Sequence, residues 1–433
     1  MSNIYAPALY NDRAMEWKKD IQYIKFAAYG FLKNLRLYQP FMLLYFLLVG
    51  LSYFQIGILY AIREFAVNIL EIPTGIIADT YGRKKALLIS MGIYILILPL
   101  FLFMKSFYFF AWAMFMLGAA EAFRSGTHNA MIMSYLKIHE LQHIRKQYYG
   151  SVRSWWQIGA AINALLSGLL IVLWGDYKTT FIASTFFMTI NFLNILSYPD
   201  YIDEKGMKKR SSLSATKEFI WLLTHPQVLR ILLNSSVSTG IFRGTKDYLQ
   251  PILKSVTLSI PLMLWLSGKQ REAILIGFTY FIIYILSSRA SKYAYVLDNV
   301  FIDRPHIIIN GLYILTVTLL ILAGLSLHLQ MNIMAAFIFI LIYITLNLAR
   351  PFIIDYISDT VAVENMAMAL SAETQLTTIT SGIIAPIAGK VADTWGIHMA
   401  LVVAGMVGIM LYPISLVKDK VAYNVSTGGE RSG

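Results

Sequence analysis

The 433-residue chain contains no cysteine, which excludes disulfides, thiol nucleophiles and thiolate metal sites and leaves the redox compartment open. Charge is also scarce. Only 14% of residues are Asp, Glu, Lys or Arg, where a soluble globular chain carries about a quarter. With 57% hydrophobic residues and a mean hydropathy of +0.60, the composition excludes a soluble globule and places the chain among polytopic membrane proteins. No Walker-type phosphate loop occurs, so ATP is not expected to drive the protein directly. His and Cys show no zinc-like spacing, and no cofactor or metal is expected. The first 25 residues are polar and lack a short apolar stretch with a cleavage site, so no signal peptide is expected.

What is present is a series of long apolar runs. A membrane span needs about 20 mostly apolar residues. Twelve such spans are expected, near 26–50, 53–77, 85–105, 108–135, 149–173, 178–198, 227–255, 271–288, 305–326, 330–357, 365–388 and 397–416. The net charge of +12 does not point to nucleic acid, because the cations gather in loops of one parity. With the N-terminus inside, the inner segments hold 21 Lys and Arg and the outer ones six. That asymmetry puts both termini in the cytoplasm. Residues 201–225, with the run Lys208-Lys209-Arg210, read as a linker between two halves, 1–200 and 226–433. A faint repeat relates the halves: Gln39-Pro40 to Gln250-Pro251, and Glu121-x-x-Arg124 to Asn347-x-x-Arg350.

The segment Glu71-Ile-Pro-Thr-Gly75-Ile-Ile-Ala78-Asp79-Thr-Tyr-Gly82-Arg83-Lys84-Lys85 joins the second and third runs. It resembles the helix 2–helix 3 loop signature of the major facilitator superfamily, with Gly75, Asp79, Gly82, Arg83 and Lys84 filling the pattern. The resemblance implies an all-α membrane protein with twelve transmembrane helices in two pseudo-symmetric six-helix bundles, working by alternating access. It also implies that Asp79 meets the N-terminus of helix 11 and holds the inner gate closed, since a helix N-terminus favours a carboxylate. Gly82 then allows the turn and Arg83 pairs within the loop; Lys84 and Lys85 need only anchor the inner side. Superfamily helices 1, 4, 7 and 10 line the central path. Carried over, that makes Arg36, Gln39, Glu121, Arg124, Arg243, Asp247, Asn347 and Arg350 the cavity candidates.

Ionisable residues inside spans are costly and are functional candidates by default. On helix 4, Glu121, Arg124 and His128 are spaced by three and four, which puts them on one face of an unbroken helix. Burial opposes the charge of Glu121 while Arg124 supports it. The two readings are a proton carrier and a permanent ion pair. Helix 2 has a polar stripe of Glu64, Asn68 and Glu71, matched on helix 11 by Glu373, Thr374, Thr377, Thr378 and Ser381. Glu121 leads as the proton-coupling residue, with Glu64 and Glu373 behind it. On helix 5, Ala160, Ala164 and Gly168 step by four and form a small-residue face for close packing. The Gly-Pro step of many superfamily antiporters is absent there.

The expectation is a transporter and not an enzyme: a monomer in a bacterial inner membrane, coupled to protons and exporting small organic molecules or drugs as in the drug-efflux branch. One alternative is proton-driven import of a small anionic or siderophore-like solute, which the arginines favour. Another is a non-transporting receptor that kept the fold.

Overall fold

The computed structural model describes residues 20–203, 224–259, 264–294, 304–361 and 365–419. Most of the expected linker, residues 204–223, lies outside them. In chain order the helices are α1 (Ile21–Leu32), α2 (Met42–Val49), α3 (Tyr53–Tyr81), α4 (Arg83–Leu100), α5 (Phe107–Arg124), α6 (Thr127–Ile138), α7 (Arg145–Trp174), α8 (Lys178–Leu196), α9 (Pro226–Thr245), α10 (Leu249–Ser259), α11 (Gly268–Lys292), α12 (Pro305–His328), α13 (Asn332–Thr360), α14 (Met366–Trp395) and α15 (Ile397–Ser415). Among the described residues there is no strand.

These helices make up the twelve expected spans. Six of them (α7, α8, α11, α12, α13 and α15) are long and apolar enough to cross a membrane by length and composition. Spans 2, 3 and 11 (α3, α4 and α14) carry ionisable residues. Spans 1, 4 and 7 are each broken in two. Span 1 unwinds over residues 33–38 and resumes through a short 3-10 turn at Gln39–Phe41. Span 7 passes through the 3-10 turn Lys246–Tyr248. Span 4 breaks at Ser125-Gly126, where Gly126 adopts a left-handed φ of 68°. Irregular backbone at membrane depth is tolerated only where protein or a water-filled cavity receives it. Large side chains such as Leu96, Phe103, Phe186 and Met410 are exposed on the outer surface, as a hydrocarbon solvent requires.

Spans 1–6 pack together, as do spans 7–12, and the two bundles meet along two seams, α3 against α14 and α7 against α11. The α7–α11 seam is close because small residues line it. A Cβ added at Gly168 would stand 2.7 Å from the Ala273 carbonyl oxygen, and one at Gly277 would stand 2.8 Å from that of Ala164.

One face of the molecule carries both ends of the described chain and the turn at Tyr81–Arg83; it is called the terminal face below. At the opposite face the bundles are in contact. Asp393, near the end of α14, accepts hydrogen bonds from the Tyr53 and Phe54 N–H groups at the start of α3, at 2.8 and 2.9 Å. Tyr53 packs edge-on against Tyr248. The Gln250 side chain accepts from the Leu43 N–H at 3.2 Å and donates to the Gln39 carbonyl at 3.4 Å. The two Gln-Pro dipeptides therefore meet at this closure. Tyr177 donates to the buried Glu272 carboxylate across the other seam, at 2.8 Å.

Candidate functional site

Between the bundles, on the terminal side of that closure, lies a cavity of 470 Å³. The unwound part of span 1 brings Lys33 and Arg36 into it, and the break in span 4 brings Arg124, Ser125 and Gly126. Six cations line it: Lys33, Arg36, Arg63, Arg124, Arg243 and Lys246. Three carboxylates face them: Glu64, Glu71 and Glu121.

Glu121 is clamped. One carboxylate oxygen accepts from Arg36 at 2.9 Å and from the Tyr94 hydroxyl at 3.0 Å; the other accepts from Arg124. Two guanidiniums thus bracket one carboxylate, and the buried Nε atoms of both have no acceptor among the described residues. Below them, Glu64 pairs with its neighbour Arg63 at 2.6 Å and lies 3.8 Å from Arg243 of span 7, an ion pair that joins the bundles. Glu71 accepts from Ser125 at 3.0 Å. Among the described residues no carboxylate forms an ion pair with Lys33 or Lys246. The Lys33 ammonium lies over the Trp156 ring, 3.4 Å from its centroid, a cation–π contact. Helix α6 begins at Gly126 with no side-chain cap, and Gly126 is exposed to the cavity. Open N–H groups at a helix start favour anions.

The break at Ser125-Gly126 alters one sequence-based expectation. Glu121 and Arg124 lie on one side of it and His128 on the other, so the three do not share a continuous helical face. His128 is buried, stacked on Tyr29 at 3.8 Å, with its Nε2 3.3 Å from the Tyr198 hydroxyl of span 6.

The structure gathers Arg36, Gln39, Glu64, Glu121, Arg124 and Arg243 around the cavity. Asp247 sits lower, in the closure layer beside Tyr53 and Tyr248. Asn347 and Arg350 line an adjoining cleft of 630 Å³ between α7 and α11, together with Arg153 and Arg289, and Lys33 and Trp156 line both spaces. Arg350 bonds the buried Glu373 at 2.5 Å, and Glu373 also accepts from Ser235 of span 7 at 2.5 Å. The stripes on spans 2 and 11 touch through a hydrogen bond from Asn68 to Thr378.

At the gate loop, Gly82 has a φ of 110° and serves both as the end of α3 and as the cap of α4. Asp79 is exposed, lies 3.6 Å from Arg83, and makes no described contact with α14. The N-terminus of α4 is instead capped by Asp203, which accepts from the Arg83 N–H at 2.6 Å. Asp203→Ala is expected to lower stability by about 1 kcal/mol, the usual worth of such a cap. Thermal unfolding in detergent measures this, and an unchanged midpoint would remove the cap from the account.

Sequence reasoning missed Tyr94, the Asp203 cap and Asp393. The first two are long-range contacts with no local signature. Among the described residues no group of His, Asp and Glu is placed to hold a metal ion.

Residues 26–374 match the Major Facilitator Superfamily, and the chain belongs to that family. It is a transporter and not an enzyme. No curated protein matches it. Among solved structures it is similar to the nucleoside transporter NupG, with 13% identity, a TM-score of 0.70, and 92% of this chain and 98% of that one covered. It is also similar to a bacterial homologue of the human lysosomal transporter Spinster in an inward-facing, occupied conformation, with 13% identity, a TM-score of 0.68 and coverages of 92% and 97%. A POT family transporter in complex with 5-aminolevulinic acid gives 13% identity and a TM-score of 0.64, with coverages of 92% and 94%.

Proposed function

We propose that this chain is a secondary transporter that moves a small organic anion together with a proton, its halves 1–200 and 226–433 rocking about the central cavity. The observation that carries this reading is the clamp on Glu121, where two guanidiniums share one carboxylate in a cavity with twice as many cations as acids. An incoming carboxylate or phosphate competes with Glu121 for Arg36 and Arg124, and the start of α6 supplies further donors. Once displaced, Glu121 has lost its two cationic partners, and in this reading it makes the crossing with a proton in their place. Proton and anion are then bound together or not at all. This is the coupling that an antagonism between one carboxylate and one ligand provides.

The excess of Lys and Arg in alternate loops supports a cytoplasmic terminal face in a bacterial inner membrane. The cavity is then inward-facing. Export of drugs has less support, because a hydrophobic cation would meet six like charges. The family and the retained gate loop speak against a receptor.

The test is flux into proteoliposomes under an imposed pH gradient, with mono- and dicarboxylates, organic phosphates, neutral sugars and cationic dyes. Accumulation of anions that collapses with the gradient is expected. Gradient-driven movement of cationic dyes with no effect of any anion would overturn the reading.

A further inference from the structure

The octapeptide that ends α3, Gly75-Ile-Ile-Ala78-Asp79-Thr80-Tyr81-Gly82, recurs once in the chain. Its second copy, Gly389-Lys-Val-Ala392-Asp393-Thr394-Trp395-Gly396, ends α14. Five of the eight positions are identical, and Tyr81 and Trp395 are both aromatic. The structural match is as close as the sequence match. Gly82 and Gly396 have φ of 110° and 90°, and each is both the end of one helix and the cap of the next. Yet the copies lie on opposite faces of the protein. Helices α3 and α14 run antiparallel, so the likeness is that of an inverted repeat with a two-fold axis in the membrane plane.

The copies are not in the same state. Asp393 bonds the Tyr53 and Phe54 N–H groups at the start of α3. Gly389 lies against the same turn: a Cβ there would stand 2.3 Å from the Tyr53 carbonyl oxygen. Asp79 is exposed, and Gly75 has nothing within 4 Å of a Cβ position. The contacts of Tyr53 with Asp393 and of Asn68 with Thr378 share one antiparallel register. Continued to the terminal face, that register sets Asp79 opposite Ala367, the second residue of α14. The octapeptide offset that takes Asp79 to Asp393 takes Tyr53 to Ala367, so Ala367 holds the place in α14 that Tyr53 holds in α3. The register also pairs Gly75 with Ser371, another small residue, which is exposed here.

We propose that Asp393 is a gating residue, the mirror twin of Asp79, and that the two carboxylates cap the opposing helix in alternation. With Asp393 on the start of α3, the opposite face is shut and the cavity opens to the terminal face. When the bundles rock, Asp393 lets go and Asp79 caps α14 at the Ala367 and Met368 N–H groups. A carboxylate on the free N–H groups of a helix start is a charge–dipole contact, made and broken without burying a partner cation. Each state thus loses one such contact and gains its twin. This inference rests on alternating access but not on the anion or proton assignments.

The absence of native cysteine makes the test direct. Single cysteines are placed at Val67, in the cavity, and at Leu43, in the closure layer, and their modification rates by a membrane-impermeant thiol reagent are measured from either side of oriented membranes. Asp393→Ala is expected to raise the Leu43→Cys rate and lower the Val67→Cys rate, and Asp79→Ala to do the reverse, the ratio of the two rates shifting roughly fivefold in each variant, as befits the loss of one cap. The double variant is expected to return both rates towards the parent. Rates that move the same way in both single variants, or that do not move in Asp393→Ala, would overturn the proposal. Should Asp393→Ala fail to fold, Gly389→Ala, which crowds the same contact, is expected to shift both rates in the Asp393→Ala direction; unshifted rates in that variant count against the latch. No substrate is needed, so a failure here is distinct from a failure of the anion–proton reading.

Discussion

Glu121→Gln is expected to abolish gradient-driven accumulation while tightening anion binding about tenfold, the factor that about 1.4 kcal/mol represents. The two effects have one cause. On the proposed mechanism, an anion in the parent has to displace the carboxylate from Arg36 and Arg124, and that competition subtracts from its affinity. Glutamine keeps the shape and one acceptor but carries no charge, so the guanidiniums are free for the ligand. It also cannot exchange a proton at any pH near neutral, so counterflow of labelled for unlabelled anion persists while concentration against a gradient does not. Equilibrium binding and proteoliposome flux on the same preparation measure the pair. Retained accumulation in Glu121→Gln would demote the residue to a structural ion pair and pass the coupling role to Glu64 or Glu373.

Arg36→Met should act in the other sense. It removes a charged donor to the ligand and leaves Arg124 on Glu121, so coupling survives while affinity falls. A hydrogen bond to a charged group contributes about 1.5–3 kcal/mol, which corresponds to a rise in half-saturating concentration of roughly 10- to 150-fold. Arg36→Lys should recover only part of this, because an ammonium cannot present the planar fork that brackets a carboxylate. A half-saturating concentration that stays at the parent value in Arg36→Met would take the guanidinium out of the binding site.

The fold was legible because apolar length is a local property. Each of the twelve expected spans contains a helix or a broken pair of helices, and the Gly82 turn was read from its own residues. The breaks were not legible. Ser125-Gly126 reads as part of a continuous run, and only the left-handed Gly126 shows that span 4 stops there. The site was legible by residue type but not by pairing. Arg36 and Glu121 are 85 positions apart, and Tyr94 carries no motif. Asn347 and Arg350 illustrate the limit of the internal repeat. Span 10 mirrors span 4 in spacing, but α13 is unbroken and turns these residues to the α7–α11 cleft. Asp393 was readable in principle. Its octapeptide matches that of Asp79, and comparison of the chain with itself would have found it.

The clamp has a consequence for the electrical energetics of the cycle. On the proposed coupling, one carboxylate would exchange one proton, so a monoanion would travel with its charge cancelled and its transport would be blind to the membrane potential. A dianion carried on the same single proton keeps one net negative charge, on which each 100 mV exerts about 2.3 kcal/mol. With the cell interior negative, that force drives the dianion outward. The same protein would then take up monoanions on the pH gradient alone and resist dianions, so the net direction of flow would be set by the valence of the solute and not by the geometry of its gates.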